Sequence, residues 1–233
     1  VKINNKNLYY EIARKMYKIL KITKKLNGNF NLYIKDYKEE KIQIHLETLY
    51  SYGILSKKEI DEQEFEEMMS ENEKKLAKQK ALKTLSMANK TKKELIVKLR
   101  QSKFSSDAID YAMSFVDEYD FIDEENIAKT LVEGKYSKKR YSKRAMVSKL
   151  RQKGIDSNVI NDSVKDISDD EEFENAMYFA QKKLKTIRDD DKYKVRNKLM
   201  SALSYRGFSY YIIKKVTEDI LKDFDDDFEY YED

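Results

Sequence analysis

The sequence predicts a mainly α fold: three tandem three-helix repeats forming an elongated array, preceded by a small N-terminal antiparallel β-meander. Three observations predict it. The 233 residues include no proline and only 5 glycines, so long regular elements run with few breaks. A period-two apolar pattern occupies Lys18 to Leu46. Further on, one combination of apolar spacing and small polar residue recurs three times, about 50 residues apart. Apolar residues make up 40% of the chain and charged residues 39%, a balance that suits a slender, modular molecule better than one deep globule.

In chain order, residues 1–17 read as an N-terminal extension and 18–73 as the meander plus helix. Ile19, Lys21 and Thr23 alternate with Leu20, Ile22 and Lys24, and Asn27-Gly28 then gives a hairpin signal. Phe30, Leu32 and Ile34 form a second alternating run, and Ile42, Ile44 and Leu46 a third. So small a sheet is marginal alone and needs a partner, for which the helical stretch near Glu47 to Tyr52 is suited. Ser56 and Glu59 have capping-box spacing and lead into a polar helix over Asp61 to Lys80.

The repeats follow as 74–121, 122–168 and 169–222, with an acidic tail over 223–233. Their first helices are expected at Leu76 to Met87, Glu124 to Gly134 and Asp170 to Ile187. The repeating motif is Leu99, Phe104 and Ile109, then Leu150, Ile155 and Ile160, then Leu203, Phe208 and Ile213. Ser105, Asp156 or Ser209 follows the middle apolar residue and can cap the next helix. Gly154 and Gly207 can end the preceding helix in the left-handed region, with Lys103 at the equivalent place. Phe104, Ile155 and Phe208 then sit one residue before the cap, and Ile109, Ile160 and Ile213 four residues after it. That pairing is a hydrophobic staple, which sets the angle between successive helices.

Few signs of enzyme chemistry are present, and the chain reads as a non-catalytic binding protein. It has no cysteine, so disulfides, thiolate metal sites and thiol nucleophiles are excluded, in keeping with a reducing cytoplasm. No run of about 18 apolar residues suggests a membrane span. The single histidine, His45, lies in the strand region and reads as an ordinary sheet residue. Phosphate loops and nucleophile elbows are missing, and neither cofactor nor metal is expected. Asp189, Asp190 and Asp191 could draw a cation, but their position between helices favours a solvated turn.

The positive signal is electrostatic. The net charge is +4, yet the stretch from Thr217 to Asp233 holds nine acids against Lys222, leaving the rest of the chain strongly basic. Between Gly134 and Gly154 there is no acid, while Lys135, Lys138, Lys139, Arg140, Lys143, Arg144, Lys149, Arg151 and Lys153 supply nine cations. Tyr136 and Tyr141 are interleaved with them. In the first repeat, Lys98, Arg100 and Lys103 belong to a stretch whose nine cations face only Glu94. Cations beside aromatics suit phosphates and exposed bases. AT-rich coding also enriches lysine, but neutral drift usually leaves acid partners one helical turn away. Each helix pair has a helix-turn-helix outline, yet Asp162 and Asp166 in the helix after the second turn argue against base reading.

At these residues the sequence resembles the RecX family of regulatory proteins. The resemblance rests on Phe121-Ile-Asp-Glu-Glu-Asn-Ile-Ala128, on Lys149-Leu-Arg-Gln-Lys-Gly154-Ile155-Asp156, on Lys98-Leu-Arg-Gln and on Arg206-Gly207-Phe208-Ser209. It covers about Lys18 to Leu221, meander included. The resemblance implies three three-helix repeats and a regulator that binds the RecA–DNA filament and mostly inhibits ATP hydrolysis and strand exchange. It places the protein in recombination, DNA repair and the SOS response, and a monomer is expected. The alternatives are a nonspecific DNA-binding protein that grips phosphates of single- or double-stranded DNA, and a protein-interaction scaffold unrelated to DNA.

Overall fold

The computed structural model describes residues 15–189 and 191–226. Most of the N-terminal extension, Asp190 and the end of the acidic tail lie outside the described residues. The chain divides into two compact units, one ending at Ile122 and the other beginning at Asp123.

In the first unit, β1 (Met16–Lys24), β2 (Phe30–Ile34) and β3 (Ile42–Ile44) form the expected meander. A fourth strand, β4 (Glu59–Asp61), pairs antiparallel with the start of β1, so the sheet order is β3-β2-β1-β4. The capping box expected over Ser56 to Glu59 does not form. Instead Ser56 ends a short 3-10 turn, and Asp61 caps the helix by accepting the Glu64 N–H at 2.9 Å. The physical reason is Ile60. Pairing opposite Tyr17 buries it, while Glu59 stays at the surface. Three residues are too few to display a period of two.

Helix α1 (Leu46–Ser51) precedes β4, and α2 (Glu62–Met87) follows it as one continuous 26-residue helix where the sequence suggested two pieces. Its N-terminal half places Phe65 and Met68 against Leu32, Ile44, Leu49 and Ile54. Its C-terminal half places Ala77 and Ala81 against α3 (Lys92–Gln101) and α4 (Ser106–Glu118) through Leu95, Leu99, Ile109 and Val116. One helix thus serves both the sheet and the first repeat. Buried Asn72 ties them further: its Oδ1 accepts the His45 N–H and its Nδ2 donates to the Gln43 carbonyl, each at 2.8 Å. His45 proves to be a helix cap rather than a strand residue, its Nδ1 accepting the Glu47 N–H at 3.2 Å. Burial lowers its pKa below the ordinary 6.5, which keeps that lone pair available.

The second unit holds the other two repeats. The second consists of α5 (Glu124–Thr130), extended by a π-helical turn (Leu131–Tyr136), then α6 (Lys143–Gln152) and α7 (Ser157–Val164). The third consists of α8 (Asp169–Leu184), α9 (Lys192–Tyr205) and α10 (Tyr210–Asp226) around Ala176, Leu199, Leu203, Phe208 and Val216. The backbone of α10 carries the helix into the acidic segment as far as Asp226.

All three repeat turns have one geometry. Lys103, Gly154 and Gly207 take φ of 64°, 81° and 83°. Phe104, Ile155 and Phe208 donate back to the carbonyls of Leu99, Leu150 and Leu203, the hydrogen bond that closes a left-handed helix end. Ser105, Asp156 and Ser209 then accept from Ala108, Asn158 and Ile212. Such caps stabilise a helix by about 1 kcal/mol each. The staple isoleucines, Ile109, Ile160 and Ile213, are all buried.

Candidate functional site

The basic segment of the second repeat is shaped by an irregular helix end. Asp123 caps α5 by accepting the Asn126 N–H at 2.9 Å. After one regular stretch the helix widens into the π turn, which turns both Val132 and Tyr136 into the interior. It closes at Arg140, which takes φ 52°, with the Tyr141 N–H donating to the Tyr136 carbonyl at 3.2 Å. This is the geometry of the repeat turns, with arginine at the left-handed position.

Closing the helix there spreads cations around the bend. Lys135, Lys138 and Lys139 are exposed, as are Arg144 on the first turn of α6 and Arg151 near its end. Among the described residues, none of these five forms an ion pair with a carboxylate. Lys143, Lys149 and Lys153 are half-buried. The Lys149 ammonium lies 4.8 Å from the centre of the Tyr141 ring, which in turn lies 5.7 Å from that of Tyr136. Arg140 points elsewhere. Its guanidinium sits 4.4 Å from the Tyr178 ring, and its Nη1 donates to Asn175 Oδ1 at 3.3 Å, both on α8.

The predicted aromatic interleaving therefore takes a different form. Tyr136 is 3% exposed, a core residue one turn beyond Val132, and its ring is not at the surface. Tyr141 is half-buried beside Lys149. Among the described residues of the second unit, the exposed rings are on the third repeat. Tyr178 is flanked by Arg140 and Lys182, whose hydrogen bond and charge lower its phenol pKa, with Arg140 adding to the effect. Tyr205, 93% exposed, and Tyr210 and Tyr211, also exposed, flank the third turn beside Arg206. A search for aromatics confined to the acid-free window misses them. Their signal in the sequence is aromatic residues outside the staple spacing of the third motif.

The joint between the second and third repeats is built from the same segment. Ser142, fully buried, caps α6 by accepting the Ala145 N–H at 3.1 Å and donates its hydroxyl proton to the Arg206 carbonyl at 2.8 Å. The Glu172 carboxylate accepts the Lys143 backbone N–H, and burial raises its pKa above the usual carboxylate range. In the first unit, Lys98 and Arg100 are exposed on the last turn of α3, and Lys103 is exposed at the left-handed turn. Cations at a helix C-terminus complement its dipole.

The second repeat also carries a patch of the opposite charge. Glu125, Glu133, Asp162 and Asp166 surround a groove of about 330 Å3 with Lys129. Among the described residues, no group of three or more His, Asp or Glu side chains is placed to hold a metal ion. Asp189 instead pairs with Lys198 at 2.8 Å, and Asp191 caps α9 by accepting the Tyr193 N–H at the same distance. No described helix is long and apolar enough to cross a membrane.

Comparison with known proteins accounts for the three repeats. Residues 77–115, 123–163 and 169–217 match the family models described as the first, second and third three-helix domains of RecX. A regulatory protein RecX from Clostridioides difficile (strain 630) is 32% identical over 198 residues, covering 85% of this chain and 92% of that protein. Another from Clostridium botulinum (strain Eklund 17B / Type B) is 30% identical over 209 residues, covering 87% and 94%. A crystal structure of regulatory protein RecX superposes with a TM-score of 0.64 at 20% identity, covering 87% of this chain and 99% of that one, a likeness of fold. RecX from Lactobacillus salivarius gives a TM-score of 0.54 at 26% identity, covering 63% and 96%.

Proposed function

Since the chain belongs to the RecX family of regulatory proteins, we propose that it binds the RecA–DNA filament in the cytoplasm and restrains the recombinase and its ATP hydrolysis. The observation that carries this reading is the group of exposed cations at Lys135, Lys138, Lys139, Arg144 and Arg151, none of them spent on an internal carboxylate among the described residues. A protein that stabilised only itself would pair most such charges along its own helices. Held outward, they meet a filament's acidic surface or its DNA phosphates, with Lys98, Arg100 and Lys103 of the first repeat as a second basic group. Lys143, Lys149 and Lys153 border the first group. Tyr136 and Tyr141 support it from behind, and Arg140, exposed at the bend, lies over the surface ring of Tyr178. The reading needs no catalytic residue, because occupying a filament is enough to hinder it.

The decisive experiment is RecA's DNA-dependent ATPase on preformed filaments, titrated with this protein at two DNA concentrations. Inhibition at substoichiometric protein that persists with excess free DNA supports a filament regulator. Inhibition relieved by added DNA means nonspecific DNA binding, and no inhibition favours a scaffold unrelated to DNA. In the same assay, Lys138→Glu/Lys139→Glu/Arg144→Glu should lose inhibition while keeping its melting temperature. Its DNA binding should also be less steep in salt, by about 0.7–0.9 in log–log slope for each phosphate no longer neutralised. A folded variant that inhibits as well as the parent would overturn the assignment of this face.

A further inference from the structure

The N-terminal sheet carries a concentration of cations that the repeats do not explain. Where β1 meets the β2–β3 connection, Lys15, Tyr17, Lys18, Lys35, Tyr37 and Lys38 line a surface cavity of about 550 Å3. Strand register creates it. Ile19 pairs with Ile34, and the Lys35 N–H donates to the Lys18 carbonyl at 2.9 Å, so two lysines face one another across neighbouring strands. Like charges so placed repel, while Lys18 also stands opposite Glu59 across the β1–β4 pair. Among the described residues, Lys18, Lys35 and Lys38 form no ion pair. Lys15 donates to the Tyr17 hydroxyl at 2.9 Å and lies 3.6 Å from Glu62, and the Lys38 ammonium lies 5.9 Å from the centre of the Tyr37 ring. Asp36 is the one acid in the lining.

The aromatic walls are held in place. The Tyr17 and Tyr37 rings meet edge-on at 5.8 Å, and both pack on buried Phe65, at 4.4 and 5.5 Å. A cavity of this size, with aromatic sides held by packing and three ammonium groups outside any ion pair against the single acid Asp36 in its lining, is suited to an anion that also has a flat or apolar part. Lysines act as mobile point charges and follow a polyanion well. A free nucleotide's terminal phosphates are usually cradled by a glycine-rich run of backbone N–H groups, and the sequence has none. We propose that this cavity binds the backbone of single-stranded nucleic acid, with Lys18, Lys35 and Lys38 on phosphate oxygens and Tyr17 and Tyr37 against one sugar or base. The proposal requires only an encounter with nucleic acid and stands apart from the RecA reading.

The test uses the full chain and a labelled oligo-dT, with anisotropy followed across a salt series and no recombinase present. Lys18→Gln/Lys35→Gln should weaken binding about tenfold at moderate salt and flatten the log–log salt slope by about 1.4. Its melting temperature should be nearly unchanged, because the Lys18–Lys35 repulsion and the attraction of Lys18 to the opposite Glu59 are removed together. Lys38→Gln, in the loop, should reproduce about half the change in slope. Unchanged affinity and slope in the folded double variant would overturn the proposal, as would a slope that responds only to Lys138→Glu/Lys139→Glu/Arg144→Glu. In the latter case the reading of the second repeat survives. Inorganic triphosphate and ATP serve as competitors. If the lysine pair is needed to bind them but not the oligonucleotide, the site takes free phosphates and the proposal fails.

Discussion

Between the second and third helices of every repeat, Lys103, Gly154 and Gly207 occupy one left-handed position, followed by the same closing backbone bond and a side-chain cap on the next helix. Between the first and second helices, the chain takes three unlike routes. Before α3, Thr91 and Glu94 form a reciprocal capping box. Before α6, the π turn, Arg140 and buried Ser142 make a bend fastened to the third repeat. Before α9, Asp189 and Asp191 make an acidic turn tied to Lys198 and the helix N-terminus. The difference teaches where this architecture stores specificity. A turn that must bury a staple on both sides has little freedom. The connection into the second helix answers to fewer packing demands and can carry charge of either sign.

The largest expected effect comes from the place where the two kinds of joint touch. A Cβ at Gly207 would lie 3.1 Å from Ser142 Oγ, on a residue already at φ 83°. Gly207→Ala should therefore cost about 2 kcal/mol, from left-handed strain plus displacement of the buried hydroxyl that holds the Arg206 carbonyl. Thermal unfolding followed by circular dichroism would show a fall of several degrees. A fall no greater than strain alone predicts, about 1 kcal/mol, would mean that Ser142 yields easily and the fastening is weak.

A smaller effect separates charge from packing at the same joint. The folded pKa of Glu172 is raised, so between its unfolded value of 4.5 and its folded value the native state binds more protons than the unfolded state. In that window stability falls as pH rises, and above it the penalty of the buried carboxylate is fully present. Glu172→Gln should remove that slope and leave stability at neutral pH unchanged or slightly higher. The measurement is the denaturation midpoint across acidic to neutral pH. A marked loss at neutral pH would show instead that the carboxylate's bond to the Lys143 N–H outweighs its burial.

The same contrast governs what is legible in the sequence. The staple turns are readable because glycine, cap and apolar spacing are local and recur three times, down to the left-handed role of Lys103. β4 is not, because three residues acquire strand character only by pairing with β1, a partner some 40 residues away in the chain. Cations in the acid-free window are visible as composition. The inward turn of Tyr136 depends on a π turn, and the placing of Arg140 over Tyr178 on a neighbouring repeat, neither of which has a local signature. The lysine cavity of the sheet is equally hidden, since it needs the β1–β2 register to bring Lys18 beside Lys35.

The smallest expected effect runs in the opposite direction to the first. Lys103 holds φ 64° where the other two repeats place glycine, so its backbone is strained and its side chain is exposed. Nothing about packing calls for lysine at that point, and the first repeat would be better served by the residue its siblings use. Lys103→Gly should raise stability by about 0.5–1 kcal/mol, read as a higher melting temperature. If the lysine is kept for its charge, the same substitution should also weaken binding of DNA or filament by the equivalent of about one neutralised phosphate, with a correspondingly shallower salt dependence. Lys103→Asn, which tolerates the left-handed region yet has no charge, should give part of the stability gain and all of the binding loss. A gain in stability with no change in binding would take Lys103 out of the proposed interface and leave its strain unexplained. A loss of stability would mean that the lysine stem packs on the turn and contributes more than its backbone costs.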